Sequence, residues 1–128
     1  MKNLELGMSA ARSRTFTDKD RKLFMKLSGE KYLPNEVGKH PIPEPLIGGL
    51  FSYLLGTELP GFGTNYLKQQ MTFTGKGYYN EPLTATVKIT RLRPEKHLVN
   101  LETTCTNSRG ETICHGEALV LAKDINGQ

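Results

Sequence analysis

The chain has 128 residues, 37% hydrophobic and 23% charged, a balance too apolar for disorder and a size suited to one hydrophobic core. No apolar run approaches the roughly 18 residues of a membrane helix, and the N-terminus lacks the basic-then-apolar layout of a signal peptide, so a single cytoplasmic domain without a membrane partner is expected. The net charge of +4 suits any anionic ligand, but Arg12, Arg14, Lys19, Arg21, Lys22, Lys68, Lys88, Arg91 and Arg93 are scattered through patterned segments, which argues against nucleic acid.

Residues 9–17 alternate weakly enough to suggest only a short edge strand. Thr17, followed by Asp18 and Asp20, supplies a helix start, with side-chain oxygens for the free N–H groups and acids at the positive dipole end. Leu23, Phe24 and Leu27 form the apolar face of this helix, and Ser28-Gly29 ends it. Residues 30–45 hold four prolines and read as a structured loop. Leu46–Leu55 is strongly apolar and contains Gly48 and Gly49, which predicts a helix buried on nearly all sides, its glycines allowing close backbone approach.

Beyond Gly63 the text becomes rich in Thr, Val, Ile and Tyr, and strands are expected at 66–73, 83–92, 98–106 and 112–121. Gly75-Lys76-Gly77, Asn80-Glu81-Pro82, Arg93-Pro94-Glu95-Lys96 and Asn107-Ser108-Arg109-Gly110 carry the turn chemistry between them. A buried helix followed by meandering strands predicts an α+β layer pair, an antiparallel sheet with one face covered by the helix.

Cys105 and Cys114 lack the spacing of metal ligands and read as reduced, packed thiols. His97, in a charged turn, and His115, on a strand, read as surface residues. No GxGxxG, P-loop or HExxH motif is present, so the usual nucleotide and zinc signatures are missing.

The stretch Leu46-Ile47-Gly48-Gly49-Leu50-Phe51-Ser52-Tyr53-Leu54-Leu55-Gly56-Thr57-Glu58-Leu59-Pro60-Gly61-Phe62-Gly63 resembles the central helix and following loop of MaoC-like dehydratases and (R)-specific enoyl-CoA hydratases. The likeness extends over Arg14-Thr15-Phe16-Thr17-Asp18-Lys19-Asp20, Leu27-Ser28-Gly29, Asn65 to Phe73 and Gly116 to Leu121, roughly residues 9–123. It implies the hot-dog fold, in which a sheet wraps a central helix, and a homodimer with acyl-thioester sites at or near the subunit interface. It also implies chemistry without metal or redox cofactor on thioesters of coenzyme A or acyl carrier protein. Members typically carry Asp after Ser-Gly and His five residues later, the pair that positions water over the β-carbon.

Here Glu30 takes the Asp position and Asn35 the His position, and an amide side chain has no proton to exchange at neutral pH. The loop is also shorter than usual. Where the family commonly reads His-Gly at the helix entrance, this chain reads Pro43-Glu44. Glu44 keeps a backbone N–H for a developing enolate, but brings its own carboxylate beside it.

The residues carried forward are therefore Glu30, His40 and Glu44 as acid, base or oxyanion groups, and Asn35, Leu46, Gly48 and Gly49 for substrate contact. Each has a plainer use: solvation for His40, a polar helix exit for Glu30, a dipole-matched helix start for Glu44, and close packing for the glycines. Three functions follow. The first is hydration or dehydration of trans-2-enoyl and (R)-3-hydroxyacyl thioesters from an atypical site. The second is a thioesterase using Glu44, and the third a non-catalytic acyl-CoA binder that kept the groove and lost the proton-transfer pair.

Overall fold

A computed structural model describes residues 4–29, 40–61 and 64–122. The element order is β1 (Ser9–Thr15), α1 (Asp18–Ser28), α2 (Glu44–Thr57), β2 (Thr64–Phe73), β3 (Pro82–Arg93), a 3₁₀ turn (Pro94–Lys96), β4 (Leu98–Asn107) and β5 (Thr112–Ala122). Five strands form one antiparallel sheet in the order β1-β3-β4-β5-β2, so β1 and β2 are its edges. The expected strands are all present, including the short one at the start.

Alternation decides which face is buried. Leu83, Ala85, Val87 and Ile89 on β3, Val99, Leu101, Thr103 and Cys105 on β4, and Ala118, Val120 and Ala122 on β5 all point to one side. That side meets Ile47, Leu50, Phe51, Leu54 and Leu55 of α2, and together they make a single apolar cluster. The opposite sheet face carries residues such as Thr84, Lys88, Glu102 and His115. A sheet curled over one helix is the arrangement expected from the sequence, but the strands do not meander in order: β2 crosses to pair with β5 at the far edge and does not pair with β3.

Both helix starts follow from local chemistry. Thr17 and Asp20 form a capping box: the Thr17 amide donates to Asp20 Oδ2 at 2.7 Å, and the Asp20 amide to Thr17 Oγ1 at 3.4 Å. The Asp20 carboxyl is held below its ordinary range, first by the Thr17 amide and further by the Thr17 hydroxyl and the Arg14 charge. Helix α2 begins at Glu44, two residues before the expected start, because Pro45 in the first turn gives up only an N–H that has no intrahelical acceptor there.

The expectation that this helix is buried on nearly all sides does not hold. Gly49, Ser52 and Tyr53 are exposed, because the sheet covers only one stripe of α2, and Gly49 and Tyr53 fall on the stripe facing α1, which stays open.

Two glycines set strand and loop positions. Gly116 pairs with Met71 of β2, and a Cβ there would overlap the Gln70 carbonyl oxygen. Gly77 lets Leu83 come within 2.9 Å of where its Cβ would stand. The same segment fixes the entrance to α2: the Ile42 amide donates to the Gly77 carbonyl at 2.7 Å, and the Tyr79 amide to the His40 carbonyl at 3.0 Å.

Candidate active site

The open stripe of α2 is one wall of a groove of about 390 Å³. Pro45, Leu46, Gly49, Leu50 and Tyr53 line it from α2, a set that recurs at helical spacing on one face. Asp20, Leu23, Phe24 and Leu27 line it from α1, and Arg12, Arg14 and Phe16 from β1 and the turn after it. Gly49 has nothing within 4 Å of the position its Cβ would take, so its missing side chain leaves space in the groove.

The floor is apolar and the rim is charged. Arg14 reaches Asp20 at 3.5 Å and stacks on Phe16, with its guanidinium carbon 4.5 Å from the ring centre. Arg12 stacks on Tyr53 at 4.4 Å. Both arginines sit on the same side of β1, as residues two apart on a strand must.

A second recess, of about 250 Å³, adjoins the groove and shares Phe24 with it. His40 lines this recess with Arg21, Met25, Pro41, Pro43 and Tyr79. His40 is half-buried, and backbone bonds tie residues 40–42 to residues 77–79. Arg21 is buried and pairs with Asp18 at 3.4 Å, so a guanidinium shares the recess with the histidine.

Glu44 is the exposed first residue of α2 and is absent from the described linings of groove and recess. The Cys114 thiol on β5 is held below its ordinary value, chiefly by the hydrogen bond it accepts from Cys105, with burial and then the Glu44 charge acting against this. Gly48 is turned toward β2, with Met71 Cε 3.3 Å from its would-be Cβ. On the same side of the helix, Ser52 is hydrogen-bonded to Tyr66, whose hydroxyl is pushed up by burial.

The sequence-derived set therefore divides. Leu46 and Gly49 share the groove, and His40 stands in the recess next to it. Gly48 packs against a strand, as its alternative reading held, and Glu44 is exposed and lines neither cavity. Glu30 and Asn35 lie outside the described residues.

Sequence reasoning missed Arg12, Arg14, Arg21, Phe16 and Tyr53. The arginines read as scattered charge, and only the fold gathers them around one pair of helices. The one available signal was the Arg-x-Arg alternation before Phe16, which puts two cations on one strand face.

Cys105 and Cys114 are buried free thiols directly opposite each other on β4 and β5. Cys105 donates to Cys114, and this bond together with burial pushes the Cys105 thiol well above its ordinary value. His97 and His115 are exposed, as expected.

With this geometry in hand, the comparisons with known proteins decide the family. No family model matches the chain. The (R)-specific enoyl-CoA hydratase of Rhodospirillum rubrum is 35% identical over 128 residues, covering 93% of this chain and 88% of that protein. The chain belongs to the (R)-specific enoyl-CoA hydratase family. The hydratase of that name from Aeromonas caviae is 32% identical, with 92% of this chain and 95% of that protein covered. The solved structure of the (R)-hydratase from A. caviae involved in PHA biosynthesis superimposes with a TM-score of 0.82 at 30% identity, covering 93% and 97%. The hot-dog fold is thereby established, and the family is one of hydro-lyases, enzymes that add water to a double bond or remove it. Among the described residues, no helix is long and apolar enough to cross a membrane.

Proposed function

We propose that this protein hydrates trans-2-enoyl thioesters and dehydrates (R)-3-hydroxyacyl thioesters of coenzyme A or acyl carrier protein in fatty acid metabolism, from an altered acid–base site. The observation that carries this reading is the groove along α2, apolar at Leu46 and Leu50, widened at Gly49, and ending beside the recess of His40. It suits an acyl chain whose reactive end lies at the start of the helix.

Hydration needs a base to take a proton from water, an acid to deliver one to the α-carbon, and a donor for the developing enolate oxygen. His40 and Glu30 are assigned to the proton transfers. The first-turn amide of Glu44, free of an intrahelical acceptor and at the positive end of the α2 dipole, is assigned to the enolate. Asn35 is kept as a hydrogen-bonding contact to the substrate.

A homodimer fits the edge strand β2, ten residues long with Tyr66 and Leu67 exposed, since an unprotected edge invites pairing with a second copy. One domain in the cytoplasm, where Cys105 and Cys114 stay reduced, completes the reading.

The test follows two signals at once, loss of the conjugated thioester from crotonyl-CoA and release of free thiol from saturated acyl-CoA. Loss of conjugation alone is expected, and Glu30→Gln and His40→Ala should each slow it by about 10²-fold or more. Thiol release that depends on Glu44 would make the protein a thioesterase. Silence in both signals, with acyl-CoA still raising the melting temperature, would make it a non-catalytic binder.

A further inference from the structure

The groove has a feature that an ordinary acyl chain does not use. Three charged residues line it, Arg12, Arg14 and Asp20, so one cation is in excess. Asp20 is taken by Arg14 and by the helix cap. Arg12 makes no ion pair among the described residues and lies flat over Tyr53, at 4.4 Å. Stacking engages only the face of a guanidinium, and leaves its N–H groups pointing outward in the plane.

Position makes this charge meaningful. Leu46 and Pro45 mark the end of the groove near His40, and Tyr53 marks the other end, seven residues along α2 or about 10 Å at helical rise. The walls between stay apolar and open, with Leu23 58%, Leu27 79% and Tyr53 45% exposed. A chain anchored at the helix start would lay its methylenes over these side chains and bring its far end to Arg12.

We propose that the groove selects acyl thioesters whose distal end carries a carboxylate, received by the Arg12 guanidinium stacked on Tyr53. This rests on the proposed placement of the thioester at the start of α2. A planar fork binding a carboxylate through two N–H groups is the strongest geometry available to such a pair. The Tyr53 ring holds the fork in place.

Binding of saturated thioesters, which undergo no hydration, separates this proposal from the catalytic one. The probes are octanoyl-CoA and 7-carboxyheptanoyl-CoA, with the same two acyl groups also prepared on N-acetylcysteamine, which has no phosphates. The wild-type protein should hold the carboxylated chain about tenfold tighter on either carrier. Arg12→Gln should abolish that preference, and Arg12→Lys, with charge but no fork, should keep part of it. The melting temperature of each variant, free of ligand, confirms folding.

Equal wild-type affinity for both chains, or a preference that survives Arg12→Gln, would overturn the proposal. So would an Arg12→Gln effect that weakens both CoA thioesters alike and vanishes on the phosphate-free carrier, because Arg12 would then serve the nucleotide. If the preference is found but neither 2-enoyl counterpart is hydrated, the selectivity stands and the hydratase reading falls. If hydration is found without the preference, the reverse holds.

Discussion

Gly116 on β5 faces Met71 on β2 at a distance that leaves no room for a side chain. A Cβ at Gly116 would overlap the Gln70 carbonyl oxygen and lie 2.9 Å from Met71 Cα, both parts of the backbone. Neither can yield as a flexible side-chain tip would. Gly116→Ala should therefore break the β2–β5 ladder locally and destabilise the fold by about 2 kcal/mol or more. Urea unfolding checks this, and a loss under 0.5 kcal/mol would show that the strands do not approach so closely.

Gly49 is the opposite case, a helix-interior glycine with open space where its side chain would be. Gly49→Ala should stabilise the protein by about 0.5–1 kcal/mol, since alanine loses less backbone entropy on folding. Gly49→Leu should instead fill the groove and raise KM for medium-chain substrates far more than for crotonyl-CoA. Parallel melting and kinetic measurements read the two effects separately.

The Thr17–Asp20 box gives a prediction with a pH sign. Thr17→Ala removes one acceptor and one donor from the start of α1 and should cost about 1 kcal/mol. Asp20 has its folded-state pKa lowered below the unfolded value, so its carboxylate contributes stability that is fully present above the unfolded pKa. That contribution is lost as pH falls through the folded value, where the wild type also becomes neutral. The stability gap between wild type and Asp20→Asn, measured by denaturation, should thus be constant near neutrality and shrink in acid.

Cys105 and Cys114 are both fully buried, and the Cys105 thiol is held protonated by donating to its neighbour. Neither should react with a thiol reagent in the native protein, and both should react on unfolding. A rate of modification that follows the unfolding rate is the expected signature. Rapid reaction of one thiol in the native state would contradict this packing.

The fold was legible in the sequence because its elements rest on local rules. Val87, Ile89 and Leu101 alternate with polar residues, Thr17 and Gly29 bracket α1, and turn residues separate every strand pair after Gly77. The structure starts α2 two residues before the expected Leu46 because, among the four prolines of residues 30–45, Pro45 falls in the first turn, where a helix tolerates it.

The site was legible only in part. Leu46 and Gly49 could be placed because they sit in one contiguous, family-like stretch, and His40 because it is the sole histidine of its loop. Arg12 and Tyr53 meet through tertiary structure alone, as do Cys105 and Cys114, and no spacing along the chain announces such contacts. Glu44 is legible by its position at the start of the helix, whereas its exposure outside the linings of groove and recess depends on how α2 is rotated against the sheet.

The central claim, that this groove serves the water chemistry of its family, is tested most directly by the stereochemistry of the product. Purified protein is incubated with crotonyl-CoA, and the 3-hydroxybutyryl-CoA formed is hydrolysed and resolved on a chiral column. The expected result is the (R)-enantiomer alone, formed at a rate that falls by about 10²-fold in His40→Ala. No hydroxyacyl product, or product formed undiminished by His40→Ala, would contradict the account.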